Sequence, residues 1–343
     1  MLSIDGSFGE GGGQILRTSV ALSIVTGEPI EIYNIRAKRP NPGLRPQHLW
    51  ALKAAAELSN ARVEGICEGS MRVGFHPKEL KTSALKIDIG TAGSITLLLQ
   101  ALIPALVLSK GTFSLNLRGG TDVKWSPSVD YFRRIVIPVY SLLGIDVEMN
   151  VTRRGFYPVG GGEVSCNIRS TGAISAIKVE SKVRGEVGIA SICSNLPKSV
   201  ADRQLRSAEE FLAKNGVHVR TRESSVEPAI SPGSAICIHQ TVHGGSYIGG
   251  DNVGERGKPS ERVGIEAAEL FLSEYLTDCT LDSQIADMVV HILALSEQES
   301  VFITSRQTEH LLTNLHVSDM IIGCKHSVEP LENGTVRVRI FPK

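Results

Sequence analysis

The chain has 343 residues, with 36 Lys+Arg against 36 Asp+Glu, a formal net charge of zero, 42% hydrophobic and 5% aromatic residues. That length holds about two domains or one large one. The charge balance excludes a bulk electrostatic binder of nucleic acid, though not a local basic pocket for a nucleic-acid end. Six scattered cysteines form no CxxC pair, which argues against a zinc ribbon or thioredoxin-type motif and for reduced thiols in a cytoplasmic protein. No basic-then-apolar leader opens the sequence, and the longest apolar run, 97–109, contains Gln100 and Pro104. That run is too short to span a bilayer, so no membrane is expected.

In chain order, residues 2–5 read as a strand entering a glycine loop, 14–25 as a helix, 30–36 as an alternating strand and 47–58 as an Ala/Leu helix; 61–68 and 71–76 close a hairpin. The pattern recurs as strand 85–89, helix 94–108, strand 112–117, helix 128–143 and a hairpin of 146–152 with 163–168. The order is βαβαββ each time, at a period of roughly 80 to 90 residues. A third copy starts near Ala176 and finishes with helix 282–297, strand 300–304, helix 308–322 and strands 325–331 and 335–341. Its middle is too long for one repeat. Within it, strand 186–192, helix 200–214, strands 217–222 and 234–241 and helix 260–275 make an α/β unit of their own. The expected fold is α+β: three repeated βαβαββ units with a small inserted α/β domain. Its expected division is 1–183 (core), 184–279 (insert) and 280–343 (completion of the core).

Several loops carry chemistry. Gly9-Glu10-Gly11-Gly12-Gly13-Gln14-Ile15-Leu16-Arg17 joins a strand to a helix but lacks the spacing of a P-loop or a dinucleotide fingerprint. Glycines at a helix start let backbone amides reach an anion, Glu10 suits a divalent metal bridging to phosphate, and Arg17 can close on a phosphate oxygen. The plainer reading is a glycine turn with a capping Glu. Arg36, Lys38, Arg39 and Arg45 lie on one proline-stiffened loop that leads to Gln47 and His48 at the next helix start; such a loop is costly neither to order nor to place around phosphates, and is otherwise a solvated basic loop. In the second repeat, Gln100 is a polar side chain in an apolar helix and needs a partner. Trp125, Pro127 and Tyr131 near the 128–143 helix start can hold a base, or pack inside. Asp287 on an apolar helix wants a cation, metal or histidine.

His310 stands just after strand 300–304, in the first turn of the 308–322 helix. Unpaired backbone N–H groups there favour a phosphate, and the positive helix end disfavours imidazolium. A neutral imidazole facing a phosphate is what a nucleophilic histidine needs.

The ordered motifs GEGGGQILR (9–17), IRAKRPNPGLRPQH (35–48), GTAGSITLLLQ (90–100), GGTDVKWSPSVDYF (119–132), YPVGGGEV (157–164) and TEHLLTN (308–314) closely resemble the RNA 3′-terminal phosphate cyclases along the whole chain. The resemblance implies three βαβαββ units akin to the enolpyruvate transferases with an inserted domain, and ATP with a divalent metal (Mg or Mn) as cofactors. It implies that His310 is adenylylated, that AMP passes to an RNA 3′-phosphate end, and that the 2′-hydroxyl displaces AMP to leave a 2′,3′-cyclic phosphate. By position it makes His310, Glu10 and Asp287 catalytic, with Glu10 on metal and Asp287 serving the metal or His310. It puts Arg17, Arg36 and Arg39 on phosphates, Gln47, His48 and Gln100 around nucleotide or RNA end, and Pro127, Tyr131 and Gln284 around the nucleotide. The match departs at Gln284, near which some members carry a base-stacking tyrosine, and at Met288, where others have glutamine. The expected partners are ATP and an RNA 3′-phosphate end, with homodimerisation left open. The alternative is a non-catalytic cyclase-like RNA-binding protein of ribosome biogenesis, which shares the fold but lacks the nucleophilic histidine. An enolpyruvate transferase, suggested by architecture alone, is opposed by the insert and by His310.

Overall fold

A computed structural model describes residues 1–80 and 83–342. Three of its four-stranded sheets repeat one strand order. The first unit is β1 (Leu2–Asp5), α1 (Gly13–Thr26), β2 (Ile30–Tyr33), α2 (Pro46–Ser59), β3 (Arg62–Glu64) and β4 (Val73–His76), in sheet order β1-β2-β4-β3. A helical crossover returns β2 parallel to β1, whereas β4 runs antiparallel to both β2 and β3. The second unit is β5 (Ala84–Asp88), α3 (Ile95–Leu106), β6 (Gly111–Gly119), α4 (Val129–Tyr131), α5 (Ile137–Leu142), β7 (Ile145–Arg153) and β8 (Gly162–Ser170), in order β5-β6-β8-β7. A π-helical turn, Phe132–Val136, joins α4 to α5. Pro138, which has no N–H to give, follows at the start of α5, where the hydrogen-bond ladder has already widened.

The third unit opens with β9 (Lys178–Val179). Between β9 and its first helix come β10 (Val187–Ser194), α6 (Ser199–Lys214), β11 (Val219–Val226), β12 (Gly233–Thr241), β13 (Tyr247–Val253) and α7 (Ser260–Tyr275), whose sheet order is β11-β10-β12-β13. The unit then resumes with α8 (Ser283–Leu293), β14 (Ser300–Thr304), α9 (Glu309–Ile322), β15 (His326–Pro330) and β16 (Val336–Ile340), in order β9-β14-β16-β15. The expected repeat pattern is therefore present in all three units.

One apolar core runs through the three repeats, with Ile4, Leu99 and Phe302 fully buried, and a second one, with Ile189, Leu212, Ile236 and Phe271, serves the fourth sheet. Helix α1 packs against α2, α3 and α9. Every α1 residue from Ile15 to Ile24 is buried except Arg17, as expected of a helix enclosed on all sides. Two sequence expectations are corrected. The strand 30–36 stops at Tyr33, because Asn34 and Arg36 take left-handed backbone conformations (φ 53° and 56°). Strand β13 was not expected at all. All six cysteines are unpaired, and only Cys67 is exposed. Among the described residues no helix is long and apolar enough to cross a membrane.

Candidate active site

Helix α1 starts at Gly13, with Gly12 as its N-cap and no side chain bonded to its first amides. Those N–H groups favour an anion. Gly13 permits a close approach: a Cβ there would lie 2.2 Å from His48 Nε2 and 3.3 Å from an Arg17 guanidinium nitrogen. The helix start, Arg17 and His48 therefore meet at one point. His48 Nδ1 accepts the Arg45 backbone N–H at 3.0 Å, so its ring proton sits on Nε2. Burial, then the charges of Arg17, Arg36 and Arg45, push the His48 pKa down to about 3. His48 is thus a neutral donor, and its Nε2 is buried without a partner.

Two more donors are in the same condition: Nε of Arg36 and Nε of Arg39 are buried and unpartnered. Arg17 has neither ion pair nor hydrogen bond among the described residues; burial lowers its pKa to about 10, which leaves it charged at neutral pH. Burial is also the first cause of the lowered Arg36 pKa, followed by Arg39 and Arg45. Several cations that converge on one point, with donor atoms left without acceptors, suit an anion with several oxygens.

His310 reaches this site from the other end of the chain. Thr308 caps α9 by accepting the Leu311 N–H at 2.9 Å, which makes His310 the second helical residue. Its Nε2 lies 3.9 Å from Glu10 Oε2, and its side chain is 43% exposed. Glu10 Oε2 in turn accepts from Arg39 at 2.8 Å, and Gln14 Nε2 donates to the His310 carbonyl at 3.4 Å. Burial holds the His310 pKa below its ordinary value; Glu10 opposes this, while Arg17 and Arg39 add to it. The imidazole is neutral near pH 7 and retains a free nitrogen lone pair.

Asp287 lies behind the histidine. Its carboxylate accepts from Thr308 Oγ1 and its carbonyl accepts from Asn314 Nδ2 at 2.6 Å. Asn314 Oδ1 also accepts from Thr18 of α1 at 2.7 Å. Burial raises the Asp287 pKa to about 7. Asp287 and Asn314 therefore brace α8, α9 and α1 against one another.

Among the described residues no group of three His, Cys, Asp or Glu side chains could hold a metal ion. Glu10 presents a carboxylate between Arg39 and His310. This is no protein-built cage, but it fits a hard cation such as Mg²⁺, which binds through one or two carboxylates together with substrate phosphates.

The sequence pattern of one protein family, RNA 3′-terminal phosphate cyclase, matches residues 8–328. The chain belongs to that family, one of ligase-type enzymes. The cyclase of Caldivirga maquilingensis is 42% identical over 350 residues, covering 100% of this chain and 98% of its own. That of Pyrococcus furiosus is 45% identical over 341 residues, covering 98% of each chain. That of Methanopyrus kandleri is 41% identical over 354 residues, covering 100% and 99%. An EPSP synthase from Acinetobacter baumannii aligns at TM-score 0.26 and 13% identity, over 100% of this chain and 64% of that one, too slight a likeness to bear on the fold.

Set against the cyclase assignment, the structure gathers Glu10, Arg17, Arg36, Arg39, His48 and His310 at one place. Gln47 stands beside them, exposed, at the edge of a large cleft. Gln100 is half-buried on α3. Gln284, in the first turn of α8, is half-buried with its Nε2 unpartnered, a donor left for a ligand. Two expected nucleotide contacts point inward instead. Pro127 is buried, and its carbonyl accepts from Thr96 Oγ1 at 2.8 Å. Tyr131 is 1% exposed, with its hydroxyl donating to Asp282 at 2.7 Å. A ring enclosed in this way has no face for a base. Sequence reasoning missed His291, one turn beyond Asp287 on α8, which is 4% exposed with both ring nitrogens unpartnered. Burial and then Arg17 push its pKa down to about 3. The available signal was a histidine spaced i, i+4 from an aspartate in an apolar helix.

Proposed function

We propose that this chain converts an RNA 3′-terminal phosphate to a 2′,3′-cyclic phosphate using ATP, through a histidine–AMP intermediate on His310. The observation that supports it is a neutral histidine at a helix start near Arg17, which has no ion pair among the described residues, and near the unpartnered Nε atoms of Arg36 and Arg39 and Nε2 of His48.

In this reading Arg17, Arg36, Arg39 and the His48 N–H hold the triphosphate, and the uncapped amides of α1 add their partial charge. A neutral nitrogen of His310 attacks the α-phosphorus. A P–N bond forms as the bond to the bridging oxygen breaks, and pyrophosphate leaves. An oxygen of the RNA 3′-phosphate then attacks the same phosphorus, the P–N bond breaks, and His310 regains its lone pair. Finally the vicinal 2′-hydroxyl oxygen attacks the 3′-phosphorus, loses its proton to solvent or a neighbouring base, and expels AMP. Glu10, with phosphate oxygens, would hold a divalent ion, which supplies charge neutralisation when bound. The remainder of catalysis is positioning: Thr308, Asp287 and Asn314 fix the helix that carries the nucleophile.

Incubation with α-labelled ATP and Mg²⁺, followed by a denaturing gel, tests the reading. An acid-labile, alkali-stable label on the wild type that is missing from His310→Ala is the expected result. A folded wild type that takes no label would favour the non-catalytic RNA-binding alternative.

A further inference from the structure

A cleft of about 1290 Å³ lies between the second repeat unit and the fourth-sheet unit. It exceeds the ~300–1,000 Å³ of a pocket for one small molecule. Gln47, at its edge, immediately precedes His48 of the phosphate site, so the cleft opens beside the reacting centre.

Its lining is unusual in three ways. Trp125 is 94% exposed and Tyr157 79% exposed, two aromatic rings held in solvent on the same cleft. Trp125 is held there by a left-handed backbone (φ 61°), a conformation that a bulky side chain rarely adopts. Next, the cations outnumber the free carboxylates. Lys124 pairs with Glu255, Lys258 with Glu266 and Arg154 with Asp122, whereas exposed Arg256 has no partner among the described residues. Lastly, the floor is rigid. Arg154, 1% exposed, ties Asp130 of the repeat at 2.8 Å to Glu227 of the fourth-sheet unit at 2.7 Å. Phe156 lies so close to Gly233 that a Cβ there would fall 2.1 Å from its ring.

We infer that this cleft binds the single-stranded RNA that precedes the terminal 3′-phosphate, with Trp125 and Tyr157 stacking on bases and Arg256 meeting the backbone. The inference rests on the cyclase reading for the identity of the strand. Exposed aromatics with a free cation beside them are a device by which proteins hold single strands without reading sequence, because every base offers a π-face. A locked floor lowers the ordering cost of binding.

Two measurements test it. The first compares KM for two 3′-phosphorylated RNAs, one of about ten nucleotides and one a dinucleotide, in wild type and in Trp125→Ala/Tyr157→Ala. The expected result is a KM raised roughly tenfold or more for the long RNA alone, with His310 labelling by ATP unchanged. Equal effects on both RNAs, or none on either, would overturn the inference. The second uses Trp50→Phe, which leaves Trp125 as the sole tryptophan of the two. Its fluorescence should be quenched by an oligouridine of about ten nucleotides ending in a 3′-hydroxyl, and Arg256→Glu should weaken that binding. Absence of quenching in a protein that cyclises RNA would sink the cleft and spare the cyclase reading. Quenching in a protein that cyclises neither RNA would do the reverse.

Discussion

Thr308 donates its hydroxyl hydrogen to the Asp287 carboxylate while its oxygen caps the helix that carries His310, so α8 sets the position of His310. Asp287 does this from a site where burial lifts its pKa from 3.8 to about 7. Below 3.8 the folded and unfolded chains are both protonated. Between that value and about 7 only the unfolded chain ionises, so this group's contribution to stability is lost as pH rises and is flat above. Asp287→Asn keeps an acceptor for Thr308 and has no charge to bury. Its stability relative to wild type should therefore rise by about 1–3 kcal/mol from pH 5 to pH 8. Denaturant titrations at the two pH values check this; an equal difference at both contradicts it.

His310 is half-exposed, and among the described residues Glu10 alone lies within ion-pair distance of its ring. Replacing it with alanine should leave the melting temperature within about 2 °C, since changes at such surfaces stay near ±0.5 kcal/mol. Labelling by ATP should meanwhile fall to background. A variant that still labels removes His310 from the mechanism.

Arg17 is a half-buried cation with no anion beside it among the described residues. Arg17→Met keeps the length of the side chain and relieves an uncompensated charge, so the variant should fold at least as well as wild type. Its affinity for ATP should fall by roughly 10–100-fold, the worth of a charge-assisted contact. Calorimetric titration with a non-hydrolysable ATP analogue measures the loss; an unchanged affinity would mean that the triphosphate lies elsewhere.

Tyr131→Phe should act on the fold and not on the site. The hydroxyl is a donor to buried Asp282, whose other oxygen receives the Gly249 N–H at 2.8 Å. Losing it should cost about 1–3 kcal/mol and leave the KM for ATP unchanged. A raised KM at unchanged stability would return Tyr131 to the nucleotide.

The repeat was legible because each unit alternates apolar patterns of period 2 and 3.6 between glycine- or proline-bearing loops. The convergence of Arg17, Arg36, Arg39 and His48 was suggested by residue type, since a glycine loop and a proline-stiffened loop, both leading into helices, carry or adjoin them. Three features were hidden for physical reasons. Strand β13 carries Gly249 and Gly250 at its centre, where β-branched residues would mark a strand. The cause is crowding: a Cβ on Gly249 would lie 2.6 Å from the Tyr131 ring, and one on Gly250 2.4 Å from the Phe271 nitrogen. Tyr131 was misread because an aromatic near a helix start gives the same pattern whether it faces a ligand or a core. His291 lay inside an apolar helix, where only the approach of Arg17 from α1 marks it as more than packing.

The hydrogen bond from Gln14 to His310 spans 296 positions of the chain. On the ribosome, the basic loop and the glycine loop emerge early, and His310 follows only after the intervening sequence has been made. In the proposed reaction, a chain that stops short of α9 has the cations for a phosphate but no histidine to react with it. On the proposed reading, commitment of ATP waits on the arrival of α9.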